Sequence, residues 1–399
     1  MADRLFTARF FIMCAYSFTV FVSVFQLLPT APYHILDLGG SIAVAGLFHG
    51  VLTYSSALSA PLTGAVGDRL GQRRVLMTVS LMLAVFSSSY AFITSIWLLL
   101  TVVFFHGLFW SALLSASGAY MTGTIPETRR AEGISYWGLT SALAVAVAPA
   151  LGFWVYHHGW AALCLVLVIL NLLMAIIAWR LPDDRESSFI GARGAPPPLA
   201  RPAALEDSLS SGGPSIVQWR VLALSITMAL IAFGYGGLTS FSAMFADDAH
   251  ISPRSLFLTT AAIAIVIGRL TVGRRLDEVG YRRVLVPCLA VPAIGLLILS
   301  LSHGRMTFAL SALVFGSGFG LMYPAYTSYI MRHVSFSHRG AAFGAMLAAF
   351  DTGIGTGSSV VGWLIHRTGF RGAYGIAAGV AALALPYFLI AEKKLGFEE

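Results

Sequence analysis

Leaving aside phenols and thiols, three ionisable side chains lie well inside long apolar runs: His49, His106 and Asp351. Charge in an apolar phase is costly, and ionisable groups found there usually have a task. Asp351 lies about eleven residues into its run, roughly 17 Å along a helix and close to the middle of a bilayer. Burial disfavours the charged form of a carboxyl group. A cycle of proton uptake and release near neutral pH is then open to Asp351, the first candidate for proton coupling. The alternative is a protonated acid that ties helices together or bonds Thr352 or Ser358. His106 is similarly deep, and Trp110 follows one turn later on the same face. Such a pair can line a cavity, the indole stacking on an aromatic or amphiphilic solute, and His106 is the second proton-coupling candidate. The alternative is a histidine bonded to a neighbouring helix, which is the expected role of the shallower His49. Gln26 and Tyr235 are further cavity candidates. Tyr235 lies in the cluster Gly234-Tyr235-Gly236-Gly237, which weakens its helix and lets it bend. The alternating glycines Gly316, Gly318, Gly320 and Gly353, Gly355, Gly357 read as close-packing surfaces.

The composition says what must position these groups. Of 399 residues, 57% are hydrophobic and 11% charged, against about 25% charged in soluble domains. So few charges cannot clothe a water-exposed surface. A bilayer core needs about 20 apolar residues per helix, and runs of that size recur at 9–30, 42–63, 74–93, 96–121, 134–156, 160–180, 219–245, 254–272, 283–302, 306–331, 340–365 and 372–391. The expected fold is all-α and polytopic, with twelve transmembrane helices. The N-terminus, even-numbered loops and C-terminus hold 21 of the 25 Lys and Arg residues, and the odd-numbered loops hold 4. Positive-inside bias places both termini in the cytoplasm. The net charge of +7 is thereby a topology signal, not a sign of nucleic acid. Cys14, Cys164 and Cys288 lack metal-ligand or disulfide spacing and read as small core hydrophobes.

Residues 181–218 break the pattern with Pro196-Pro197-Pro198, a Ser/Gly-rich stretch and mixed charges, the composition of a polar linker. It separates 1–180 from 219–399, six helices each. The halves share sequence. Gly64, Asp68, Gly71, Arg73, Arg74, Val75 and Leu76 recur as Gly273, Asp277, Gly280, Arg282, Arg283, Val284 and Leu285 at an offset of 209. The same offset pairs Arg130 with Arg339, Trp154 with Trp363 and His157 with His366. Parallel six-helix repeats are a recurring transporter architecture.

The stretch from Gly64 to Arg74, including Arg69, resembles the signature between the second and third helices of the major facilitator superfamily, and 273–283 resembles its degenerate echo. The resemblance implies two pseudo-symmetric six-helix bundles and alternating access. It also implies that Asp68 meets the positive N-terminal end of the eleventh helix and closes the cytoplasmic side. By symmetry Asp277 does the same at the fifth helix. Gly71 suits a turn with positive φ, and Arg73 and Arg74 can anchor the third helix at lipid phosphates. A weaker likeness links Ala148-Pro149 and Gly152 to the fifth-helix pattern of family antiporters. Ser135, Ala144 and Ala148 stand where that pattern has glycine, and Phe153 replaces its last one. Pro149 is expected to bend the helix.

The expected function is secondary transport of a small, amphiphilic organic solute, by proton-coupled efflux across a bacterial cytoplasmic (inner) membrane. Few fixed charges disfavour a highly charged solute. The chain resembles bacterial drug, sugar or metallophore exporters. Protons and membrane lipids are the other partners, a monomer is expected, and no cofactor, metal or nucleic acid is implied. Uptake by symport or facilitation is the alternative within the fold. A receptor or scaffold without transport is the alternative outside it. An enzyme would need a His-Glu-x-x-His or Gly-x-Ser-x-Gly constellation, and ATP-driven pumping a Gly-x-x-x-x-Gly-Lys-[Ser/Thr] loop; the sequence has none of these. The clamp has a direct test. Cross-linking between the cytoplasmic ends of helices two and eleven should fall in Asp68→Asn, and an unchanged yield contradicts it.

Overall fold

A backbone crossing lipid must satisfy its own N–H and C=O groups, so each apolar run is held to a helix. The computed structural model describes residues 5–126, 129–182, 214–271, 281–334 and 339–397. In chain order the helices are α1 (Ala8–Asp37), α2 (Ile42–Leu70), α3 (Gln72–Tyr90), α4 (Ile96–Thr124), α5 (Arg130–Tyr156), α6 (Trp160–Trp179), α7 (Pro214–Asp248), α8 (Leu256–Thr271), α9 (Tyr281–Ser300), α10 (Arg305–His333), α11 (Arg339–Ala382) and α12 (Ala384–Leu395). Gly369, with φ of +72°, breaks α11. The limb before the break is the eleventh span, and the limb after it joins α12 to form the twelfth. Nine described stretches are each long and apolar enough to cross a bilayer, the last, Ala342–Leu395, carrying two crossings. With α3 and α8 the count is twelve, in two six-helix bundles. The start of α1 and the end of α12 lie on one face, the terminal face; the opposite side is the far face.

Several boundaries differ from those read in the sequence. The first span, read as 9–30, runs on through Pro29 and Pro32, both buried, to Asp37. The signature at 64–70 is not a loop but the last turns of α2. The turn is Gly71 alone, at φ +89°, so one positive-φ residue joins two helices. Of the expected linker, 183–213 lies outside the described residues, and α7 begins already at Pro214, a residue suited to a first helical turn. The helix passes unbroken through Gly234-Tyr235-Gly236-Gly237, whose glycines pack against α9 and α11. The α5 helix is likewise continuous across Pro149.

Exposed tryptophans mark the two membrane interfaces. Trp97, Trp154 and Trp363 lie toward the far face, and Trp179 and Trp219 toward the terminal face. Rings at these depths match the aromatic belts of membrane proteins. The three cysteines are free and buried, as expected of small core residues.

Two seams join the bundles, and the internal two-fold relates them: α2 against α11, and α8 against α5. The first is a backbone-to-backbone contact. A Cβ added at Gly46 would collide with the Ser358 carbonyl, and one at Gly50 with Ser359. A Cβ at Gly355 would lie 2.6 Å from Thr53 Oγ1, and one at Gly362 2.8 Å from the Ile42 carbonyl. Gly46→Val should therefore destabilise the protein by about 1–3 kcal/mol, read as a lower melting temperature in detergent. Gly379, with no atom within 4 Å of its added Cβ, should tolerate Ala unchanged. Equal melting shifts for the two variants would contradict this packing.

Candidate functional site

Asp351 lies on the α2–α11 seam. It is buried, and its Oδ2 accepts a 3.2 Å hydrogen bond from Ser56 Oγ of α2. The Tyr323 phenol of α10 lies within its electrostatic reach. The bonds expected to Thr352 or Ser358 are not made; Ser358 is engaged elsewhere. A polar chain continues along the seam toward the far face. His49 Nδ1 is 3.2 Å from both Ser240 Oγ and Thr239 Oγ1 of α7. Ser240 Oγ is 2.8 Å from Ser358 Oγ, which donates to the Gly46 carbonyl at 2.9 Å. The neighbouring-helix role expected of His49 is the one it plays, and the helix it reaches belongs to the other bundle. At the mouth beyond, Tyr33 donates to Asp247 Oδ2 at 2.8 Å and Arg254 donates to Asp247 Oδ1 at 2.8 Å, an exposed tie between the bundles.

The second seam holds a charge that the sequence does not single out. Arg269 is in the last turn of α8. Its Nη1 donates to the Gly138 carbonyl of α5 at 3.1 Å, and its Nε to the Gly320 carbonyl of α10 at 3.2 Å. Gly138 leaves just enough room, since a Cβ there would lie 3.3 Å from the guanidinium. Among the described residues no carboxylate lies within ion-pair distance of Arg269. Beside it an aromatic wall crosses the second bundle. Tyr235 stacks on Phe319 with ring centroids 4.3 Å apart, Phe319 meets Phe350 at 6.1 Å, and Phe350 meets Tyr323 at 5.4 Å. Tyr235 and Tyr323 are both within electrostatic reach of Arg269.

The first bundle supplies the other candidates. Trp110 and Tyr235 border one apolar cluster with Val24, Phe25, Leu28 and Ala148, spanning both bundles. His106 bonds Tyr90 at 2.9 Å and stacks between Phe86 and Tyr90. With Trp110, Ser23 and Asn171 it lines a small cavity among α1, α3, α4 and α6. That cavity is inside the bundle rather than between bundles. Gln26 is fully buried where α1 crosses α5, its Nε2 returned to the Val22 carbonyl. A Cβ on Gly152 would lie 2.9 Å from Gln26 Cα. Gln26 and Gly152 thus make a helix crossing, with Pro149 buried one turn earlier.

The signature arginines turn inward. Arg73 Nη2, expected at lipid, donates to the Trp179 carbonyl at the end of α6 at 2.7 Å. Its repeat mate Arg282 grips Glu392 of α12 through Nε and Nη2 at 2.9 and 3.1 Å. Glu392 is buried and also accepts from Tyr329 at 2.6 Å. In each bundle the same arginine ties the third helix to the sixth. Sequence distance hid Glu392, which read as one of the charges of a terminal tail. Arg74 and Arg283 are exposed. Gly273, Asp277 and Gly280 lie outside the described residues, and Gly64 and Asp68 are described by backbone only.

The profile of the Major Facilitator Superfamily matches residues 5–268 and 224–396. The chain belongs to the major facilitator superfamily. Its superfamily relatives include the uncharacterised MFS-type transporter YhhS of Escherichia coli, 24% identical over 380 residues covering 93% of this chain and 89% of that protein. An uncharacterised MFS-type transporter of Burkholderia mallei is 25% identical over 379 residues, covering 93% and 88%. Among solved superfamily structures, the nucleoside transporter NupG aligns with a TM-score of 0.73 at 16% identity, over 97% of this chain and 100% of that one. The human organic anion transporter MFSD10 aligns at 0.67 and 16%, over 95% and 98%. The chain is thus an integral, multi-pass membrane transporter of the superfamily.

The Arg282–Glu392 pair gives an asymmetric prediction. Glu392→Gln keeps a neutral acceptor for Tyr329 and for Arg282, whose side chain is already 45% exposed. Arg282→Gln strands a buried carboxylate. Melting in detergent should show a loss of about 1 kcal/mol for the first and about 3 kcal/mol for the second. Equal losses or the reverse order would contradict the arrangement.

Proposed function

We propose that this superfamily member exports a small, amphiphilic organic solute by proton-coupled antiport, working as a monomer in a bacterial cytoplasmic membrane with both termini inside. The observation that carries the reading is the placement of Asp351. It is a buried carboxylate at the line where the bundles meet, faced by hydroxyl groups from α2 and α10 and by no cation among its described hydrogen-bond and ion-pair partners. A carboxylate there binds a proton or a solute donor more readily than it stays bare. Rocking of the bundles presents it to the two sides in turn.

The aromatic wall from Tyr235 to Tyr323 supports an amphiphilic solute with a ring or other flat apolar body. Two organic-solute transporters of the same fold, one for nucleosides and one for organic anions, agree with that class. The direction rests on the antiporter-like pattern of the fifth helix, of which Ala148 and Gly152 pack against α1.

The gate follows from the seam. Its antiparallel register, Gly46 by Ser358 and Ser56 by Asp351, brings residue 68 level with the start of α11 when continued to the terminal face. A carboxylate in the last turn of α2 is opposed by its own helix dipole and favoured by the N-terminal end of another. Asp68 is thereby suited to close that face.

The test is flux in proteoliposomes under an imposed pH gradient. Wild-type flux should follow the gradient, while Asp351→Asn should keep solute exchange at zero gradient and lose the response. An undiminished gradient response in Asp351→Asn overturns the assignment.

A further inference from the structure

Arg269 has no part in the proton-coupled cycle just described, and its surroundings are those of a binding group. It bridges the bundles at the α5–α8 seam, held by the carbonyls of Gly138 and Gly320. Both acceptors are neutral. Among the described residues no carboxylate lies within ion-pair distance to compensate the positive charge. Among the same residues, two of the five N–H groups of a guanidinium have acceptors, one on Nη1 and one on Nε. The two carbonyls fix the plane of the fork, as a site that takes an anion in a bidentate grip requires. The phenols of Tyr235 and Tyr323 flank it from α7 and α10. Beyond them lie Phe319 and Phe350, stacked in a continuous wall.

The two-fold adds a second argument. The related seams carry opposite charges, the Asp351 carboxylate on α2–α11 and the Arg269 guanidinium on α5–α8. Tyr323 is within electrostatic reach of both. Opposite charges on the two seams select for a solute with an anionic end.

We propose that Arg269 binds an anionic group of the transported solute, a carboxylate or a phosphonate-like oxyanion, while its flat apolar body lies against Tyr235 and Phe319. The proposal rests on the transporter reading above and names the solute class within it.

The test uses the purified full-length protein in phosphatidylcholine nanodiscs and a set of aryl probes: indole-3-acetate, its neutral amide, and phenylphosphonate. Binding is read by thermal shift and by tryptophan fluorescence. At least one anionic probe should bind ten-fold or more tightly than the amide. Arg269→Gln should abolish that preference, Arg269→Lys should weaken anion binding by ten-fold or more, and Gly379→Ala, where the added Cβ meets no atom within 4 Å, should retain it. Equal binding of amide and anions overturns the proposal, as does an anion preference that survives in Arg269→Gln, and so does a complete lack of anion binding. Nanodiscs containing phosphatidylglycerol distinguish the other source of an oxyanion. Stabilisation by that lipid, lost in Arg269→Gln while the aryl anions do nothing, would assign the site to a lipid headgroup and overturn the solute assignment. The two readings fail separately. Arg269-dependent binding with flux that ignores a pH gradient removes proton coupling and leaves the anion site. Gradient-driven flux with binding indifferent to Arg269 does the reverse.

Discussion

The close approach of α2 to α11, made at glycines, is the constraint on which the joining of the two bundles depends. Gly46, Gly50, Gly355 and Gly362 let two backbones from different bundles touch. Dispersion falls away steeply with separation, so such a contact is either made or lost, with little in between. A seam of this kind favours two positions for the bundles over a continuum. The hydroxyl and imidazole chain from His49 through Ser240 and Ser358 to Gly46 adds direction to it. Hydrogen bonds made by buried groups are worth little net when formed, but leaving their donors and acceptors unsatisfied is costly. Separation of the seam therefore requires water or solute to take the place of the lost partners.

The two seams do different work although the repeat makes them equivalent. The α2–α11 seam is close-packed and carries a carboxylate. The α5–α8 seam carries a guanidinium on backbone carbonyls. Away from the seams, each bundle is tied by an arginine of the signature: Arg73 on the Trp179 carbonyl of α6, Arg282 on Glu392 of α12. These ties hold the third and sixth helices of a bundle together at the terminal face. Motion is then directed into the seams between bundles and not into the bundles themselves.

Much of this was legible in the sequence, for reasons of scale. Apolar run length, charge alternation and a repeat at a fixed offset are summed over many residues, so the span count and the two halves followed from them. The depth of Asp351 was readable because one carboxylate in an apolar run has no competing explanation by composition. Arg269 was not readable, because a basic residue three positions from a helix end looks like one more loop charge. Only the crossing of α8 with α5 and α10 turns it inward. Glu392 was hidden in the same way by its closeness to the chain end. Gln26 shows the limit of the same reasoning. A polar residue in an apolar helix suggests a cavity, and the sequence does not reveal that Gly152 approaches it closely from α5. The signature read as a loop because glycine and charge cluster in it, although one positive-φ glycine suffices for the turn.

The central claim is that transport requires the α2–α11 seam to part at the far face. Nitroxide labels at the exposed residues Thr94 and Arg371 report the distance between the bundles on that face by pulsed electron spin resonance. Reconstituted protein in liposomes that carry out transport should show two distance populations, the longer one growing when solute and a pH gradient are supplied together. A single unchanged distance under those same transporting conditions would contradict the account.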